Sequence, residues 1–348
     1  MTNVYSDLIQ FSGTHYDFGF LQGERLKDSF ILPNRRKQWG PKPYHFIIDE
    51  KVFEQVIKQF APGIWDEIHG LASALKWPVK DAIREFGGYY LEYGRSGCSI
   101  FTGENYMVRN YDNHPHSYEG RYVLFNPTDQ GYATIGPSMQ ITGRTDGLNE
   151  MGLAMGYNFT NRKHAGDGFM CNMVGRIILE VCANIDEAIS LLKELPHRHS
   201  FSYVLIDKTG KSVVVEASPR KVITREANVC TNHFQTLTEE NRFQMDDSLR
   251  REKSIENISR TVSHPYEAFR MMNDANQGIF SSKYAAWAGT LHTALYIPNE
   301  RRVGFTLGNN QKPLMIDFGK WLNGDDLHIT RIKGSIPTTS SFVNMVEL

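Results

Sequence analysis

The sequence predicts an α+β protein on three observations. Strand-like runs lie on both sides of a central helix pair, the 348-residue chain can bury a large core, and its first 97 residues differ in character from the rest. Residues 1–97 read as mostly helical. A short strand, Leu8–Gly13, leads to a segment whose Gly19 and Gly23 lie about one helical turn apart, a spacing that lets a helix pack closely on a neighbour. Pro33, Pro41 and Pro43 predict an irregular connection. Phe53, Val56, Ile57 and Phe60 then repeat with the period of an amphipathic helix. Ile64, Ile68, Leu71 and Leu75 continue it past Pro62 until Trp77-Pro78, and a further helix is expected over Val79–Tyr93.

From Cys98 the pattern turns to strands, expected at 98–102, 106–111, 122–125, 132–135, 139–142 and 152–159. Helices follow over 169–182 and from a cap at Asn184 to Pro196. Strands resume at 202–206, 212–217, 222–225 and 228–232. Helices are expected over 247–258 and 266–272, and a last hairpin joins 290–297 to 303–307 through Pro298-Asn299-Glu300-Arg301. The sharpest internal boundary is Gly97-Cys98, which divides the chain into 1–97 and 98–348 within one structural unit.

Composition excludes several functions. With 41% hydrophobic and 22% charged residues the chain is an ordinary globular protein, and a net charge of -1 offers no basic field for nucleic acid and no polybasic membrane anchor. No apolar run approaches the ~20 residues of a membrane span. Met1–Asp7 lacks the charged and apolar regions of a signal peptide. Cys98, Cys171, Cys182 and Cys230 have neither a CxxC nor a framework spacing, so free thiols in a reducing, cytoplasmic compartment are expected. His114-Pro115-His116 and His197-Arg198-His199 have no thiol or carboxylate partner at ligand spacing. No phosphate loop, dinucleotide fingerprint or HExxH occurs. Neither a metal nor a cofactor is expected.

The chemistry concentrates in Gly97-Cys98-Ser99-Ile100-Phe101 and Val108-Arg109-Asn110-Tyr111-Asp112. A turn through Gly103-Glu104-Asn105 would return Arg109 and Asp112 toward the cysteine. A thiolate is the nucleophilic form of cysteine, and a neighbouring cation favours it. Gly97 can take a conformation that exposes its carbonyl to the next side chain. Cys98 is therefore expected to cut the Gly97-Cys98 bond, after which its α-amine, of pKa ~7.7–8.0, can serve as base without a histidine. Taken singly, Cys98 reads as a small buried hydrophobe, the usual fate of a free cysteine, and Arg109 and Asp112 as a surface ion pair; together with Gly97 they point to function. Residues three apart on a strand also point to opposite faces.

These residues resemble the N-terminal-nucleophile hydrolases, in the branch of choloylglycine hydrolases, penicillin V acylases and acyl-CoA:6-aminopenicillanate acyltransferases. Cys98 with Arg109-Asn110-Tyr111-Asp112 is similar to the family nucleophile and its Arg-x-x-Asp. Asp146-Gly147-Leu148-Asn149-Glu150-Met151-Gly152-Leu153 resembles a family hairpin that runs into Gly156-Tyr157-Asn158-Phe159. Thr231-Asn232-His233-Phe234 and Asp247-Ser248-Leu249-Arg250-Arg251 resemble later site segments. The 97 residues before Cys98 are similar to the acyltransferase type, whose precursor splits at Gly-Cys into subunits that stay together. Cys98 and Asp112 stand closer in sequence than in choloylglycine hydrolases.

The resemblance implies a four-layer α-β-β-α sandwich with a helical pro-segment. It implies acyl transfer from a small linear amide or acyl thioester, through a Cys98 thioester, to water or an amine. Arg109 would stabilise the thiolate, Asp112 would hold the α-amine, and Asn158 and Asn232 would serve the oxyanion. One of Arg250 and Arg251 would bind or brace. Tyr89, Tyr90, Tyr93 and Trp287 could line an acyl pocket, with core packing as their ordinary use. Two other readings share the fold: a thiol hydrolase with a histidine base, and a non-processed, non-catalytic binding relative. Whether the chain forms a homo-oligomer stays open.

Overall fold

The computed structural model describes residues 1–39, 49–89, 97–160, 165–241 and 246–345. The chain opens with β1 (Thr2–Gly13), α1 (His15–Lys27), α2 (Ile31–Trp39), α3 (Glu50–Phe60), α4 (Pro62–Leu75) and α5 (Val79–Phe86). After Gly97 come β2 (Cys98–Gly103), β3 (Tyr106–Asn113), β4 (Arg121–Pro127), β5 (Thr134–Met139), β6 (Gly143–Arg144), β7 (Asp146–Asn149) and β8 (Leu153–Phe159). Helices α6 (Cys171–Val181) and α7 (Ile185–Glu194) follow, then β9 (Phe201–Asp207), β10 (Ser212–Ala217), β11 (Val222–Arg225) and β12 (Val229–Cys230). The chain continues through α8 (Asp246–Ser259), α9 (Pro265–Asn273), β13 (Ser282–Lys283), β14 (Ala288–Ile297) and β15 (Arg302–Leu307). It closes with β16 (Leu314–Asp317), α10 (Phe318–Leu322) and β17 (Arg331–Ile336).

Among the described residues these strands form two main sheets. The larger runs β11-β10-β9-β8-β7-β5-β4-β1-β17, with β6 on β5; the smaller runs β12-β2-β3-β14-β15-β16, with β13 on β14. Strand alternation then sets the layers. Along β8, Ala154 faces the space between the sheets while Met155 and Tyr157 face helices, and β9 repeats this with Val204 and Ile206 against Tyr203 and Leu205. One core joins the larger sheet to α3–α7, a second lies between the sheets, and a third joins the smaller sheet to α8 and α9. The order is α-β-β-α, the four-layer sandwich expected. No helix is long and apolar enough to cross a membrane among the described residues.

The two glycines of α1 do what their spacing predicts. A Cβ on Gly19 would stand 1.9 Å from the Glu67 carbonyl oxygen of α4, and one on Gly23 would stand 2.5 Å from the Ala74 Cβ of the same helix. Asn184 caps α7, accepting the Glu187 N–H at 3.0 Å.

Several expectations are corrected. The leader is not simply a helical layer, because β1 lies inside the larger sheet. It runs parallel to β4 from Asp7 opposite Arg121 to Gly13 opposite Pro127, and antiparallel to β17 from Thr2 opposite Ile336. Pro33 does not break the chain: it is the third residue of α2, where an N–H has no acceptor within the helix. Pro41 and Pro43 lie outside the described residues. The helix expected to reach Tyr93 stops at Phe86, with Gly87 as its cap and Gly88 at φ 58. Residues 139–142 are not a separate strand. Met139 ends β5, and Gln140 and Ile141 turn at φ 56 and 68, their N–H groups both held by the Glu119 carboxylate at 2.8 and 3.1 Å. The hairpin of β14 and β15 is followed by β16, α10 and β17.

Candidate active site

The β2–β3 turn forms as expected, with Asn105 at φ 62, and register runs from Gly103 opposite Tyr106 to Cys98 opposite Tyr111. Alternation does place Arg109 and Asp112 on opposite faces of the smaller sheet. Both nevertheless reach Cys98, because Cys98 begins its strand and meets one face through its side chain and the other through its backbone. On the inner face, Arg109 Nη2 lies 3.5 Å from Cys98 Sγ. On the outer side, the Asp112 N–H donates to the Gly97 carbonyl at 3.0 Å, and a Cβ on Gly97 would stand 3.1 Å from Asp112 Oδ2.

The inner face is densely paired, with the buried Arg109 Nε left without a partner. Arg109 donates to Asp146 Oδ1 at 2.6 Å and to the Tyr157 carbonyl at 2.5 Å, and its guanidinium lies 4.8 and 5.0 Å from the Tyr111 and Tyr157 rings. Asp146 also accepts from Thr145 Oγ1 at 2.7 Å and Tyr296 OH at 2.6 Å, and it lies 3.2 Å from His292 Nε2. Burial alone would raise the Asp146 pKa, but Arg109 and His292 outweigh it and hold the carboxylate well below its usual range.

The outer side is not saturated. Asp112 Oδ1 accepts from Thr290 Oγ1 at 2.6 Å, whereas buried Oδ2 has no hydrogen-bond partner. Burial pushes the Asp112 carboxyl up to about 7 against the pull of Arg251 and Thr290. Burial likewise pushes the Cys98 thiol up to about 11, with Arg109 opposing it. In this continuous chain the thiol is therefore protonated at neutral pH.

Asn232 meets Cys98 through its oxygen: Oδ1 accepts the Cys98 N–H at 2.8 Å, while Nδ2 donates to the Phe159 carbonyl at 2.8 Å. The two arginines of α8 separate cleanly. Arg251 is buried and donates to the Cys98 carbonyl (2.6 Å), Ser99 Oγ (2.6 Å) and Asn232 Oδ1 (2.7 Å), with Asp247 behind it at 2.9 Å. Arg250 points away, to the Gly278 carbonyl and Asp247. Asn158 joins the two sheets, donating from Nδ2 to the Cys230 carbonyl at 2.9 Å, with its buried Oδ1 unpaired.

Several residues around this cluster had no role assigned from sequence. Asp146 stood inside a quoted motif with no role of its own; His292, Tyr296 and Thr290 arrive from β14, whose register opposite β3 brings them to Arg109 and Asp112. Ser248, within another quoted segment, accepts the Asn232 N–H at 2.7 Å. Tyr89 packs edge-on to Phe169 in the helix-side core, at 4.9 Å. Trp287 departs from core packing: it is 41% exposed, on His114. Tyr90 and Tyr93 lie outside the described residues. Among those described, no group of three or more His, Cys, Asp or Glu could hold a metal ion.

Residues 101–312 match the sequence profile of the acyl-coenzyme A:6-aminopenicillanic acid acyl-transferase family. The chain belongs to that family. The matched stretch contains Arg109, Asp112, Asn158, Asn232 and Arg251 and starts just after Cys98. Family membership agrees with the resemblance read from the motifs. No curated protein matches the chain in sequence. Among solved structures, penicillin V acylase from Agrobacterium tumefaciens is similar at 16% identity, over 64% of this chain and 86% of that one, with a TM-score of 0.41. A variant of conjugated bile acid hydrolase from Clostridium perfringens overlaps at 15% identity, over 64% and 93% of the two chains, with a TM-score of 0.42. The N-acylethanolamine-hydrolyzing acid amidase ortholog of Caenorhabditis elegans overlaps at 12%, over 58% and 93%, with a TM-score of 0.43. Likenesses this loose carry no assignment of activity.

Proposed function

We propose that this chain is a self-processing cysteine N-terminal-nucleophile enzyme that transfers the acyl group of a small linear amide or acyl thioester to water or an amine. The observation that carries this reading is the double grip on Cys98, with Arg109 at its sulfur and Asn232 at its nitrogen, beside a Gly97 carbonyl already bonded to the Asp112 N–H.

In processing, Cys98 Sγ adds to the Gly97 carbonyl carbon, whose oxygen the Asp112 N–H polarises. The C–N bond breaks, the thiol proton passes to the departing nitrogen, and a Gly97 thioester on Sγ remains. Water hydrolyses that thioester to a Gly97 carboxylate and a free thiol. The new α-amine then lies on Asn232 Oδ1 and near unpaired Asp112 Oδ2, a site for an ammonium. In turnover the amine takes the thiol proton and Sγ attacks the substrate carbonyl. The C–N or C–S bond breaks and the proton leaves with the amine or thiol product. Water or an acceptor amine then cleaves the acyl thioester and returns a proton to Sγ. The second Nδ2 hydrogens of Asn232 and Asn158 serve the oxyanion. Fragments 1–97 and 98–348 stay together, because β1 is hydrogen-bonded on both sides to strands of the second fragment. Four buried free cysteines suit a reducing cytoplasm.

A buried, protonated thiol is also what a non-processed binding relative would keep, and mutation separates the two. Cys98→Ala is expected to give one folded, inactive chain, and Cys98→Ser a slowly processed one without amidase activity. Two fragments from Cys98→Ala would remove Cys98 from the cleavage.

A further inference from the structure

A cavity of about 460 Å³ lies between α9 and the loop joining β15 to β16. None of its lining residues belongs to the Cys98 cluster, and its volume is that of a small-molecule site. The walls are tied to each other. Buried Asn273 donates from Nδ2 to Thr293 Oγ1 and to the Gly308 carbonyl, both at 2.8 Å, and its Oδ1 accepts the Gln311 N–H at 2.8 Å. The Asn310 N–H returns to the Asn273 carbonyl at 2.9 Å, and Asn310 holds the loop at φ 54. Such a floor exists before any ligand arrives, which lowers the ordering cost of binding.

The lining has two characters. Tyr266, Pro313 and the stems of Arg270 and Lys312 make a mostly apolar cleft. The exposed heads of Arg270 and Lys312 stand beside it, and among the described residues neither forms an ion pair. The carboxylate of the lining, Asp274, is already engaged by the Asn276 N–H at 2.8 Å and by Gln277 Nε2 at 3.2 Å. The C-terminal end of α9 would by itself repel an anion. Arg270 and Lys312, which line the same cavity, oppose that field.

We propose that this cavity is a second binding site, for a small amphipathic anion whose apolar body lies between Tyr266 and Pro313 and whose single acidic head lies between Arg270 and Lys312. The site stands whether or not Cys98 is a nucleophile.

The test titrates the full chain with the fluorescent aromatic sulfonate 1-anilinonaphthalene-8-sulfonate and then competes with octanoate or with inorganic phosphate. Saturable binding of one equivalent is expected, displaced by octanoate and not by phosphate at the same concentration. Arg270→Ala combined with Lys312→Ala should weaken it by about fivefold to tenfold without changing the melting temperature. Should that pair of changes disturb folding, Lys312→Gln alone at this exposed position should weaken binding by about threefold. Absence of saturable binding, equal affinity in the folded variants, or displacement by phosphate as effective as by octanoate would overturn the assignment.

Discussion

The two sides of Cys98 differ in how completely their charges are answered. Toward the space between the sheets, Arg109 is met by Asp146, by a carbonyl and by two aromatic faces, with only its Nε unpaired, and the Asp146 carboxylate is met in turn by four side chains. Toward Gly97, Asp112 keeps a buried oxygen without a partner, and its carboxyl is pushed up to about 7. A finished ion pair holds geometry and changes little with the state of the chain. The unfinished one leaves room for a further charge. In the proposed mechanism that charge is the α-ammonium released by cutting Gly97-Cys98.

The largest effect should come from the finished side. Asp146→Ala leaves the Arg109 guanidinium buried without its counter-ion and should destabilise the fold by about 3–5 kcal/mol in urea denaturation. Asp112→Asn should leave the fold intact and lower amide turnover in processed enzyme by about 100-fold, since the amine then loses its carboxylate.

The same change has a pH signature. In uncut chain, here Cys98→Ala, native Asp112 keeps its proton up to about pH 7, whereas the unfolded chain releases it near pH 4. A raised acid pKa makes stability fall as pH rises through that window and level off above it. Asp112→Asn should remove this fall, and so should processing, which supplies the ammonium. Thermal melts at pH 4 to 8 read both; a fall that persists in the Asn variant would assign it to another group.

Smaller effects separate the neighbouring arginines. Arg251→Ala removes three donated bonds around Cys98 and Asn232 and should cost about 2 kcal/mol. Arg250→Ala, at the surface, should stay within about 0.5 kcal/mol. Equal losses would mean that α8 does not brace the site through Arg251.

Much of this contrast was legible in the chain. Alternation read β2, β3, β8 and β9 correctly, and a turn at Asn105 sufficed to bring Arg109 and Asp112 back to Cys98. Local pattern could not reach what depends on distant pairing. The place of β1 is decided by β4 and β17, and Asp146 is only one residue of a motif until β14 brings His292 and Tyr296 onto it. The choice between Arg250 and Arg251 needed the direction of one helix face. Pro33 misled because a proline in the first helical turn looks locally like a break.

The central claim is that Cys98 becomes an N-terminus, and the intact mass of the purified protein under denaturing conditions tests it most directly. The account predicts two pieces, of 97 and 251 residues, the second beginning at Cys98. A single 348-residue chain in a preparation that turns over an amide would contradict it.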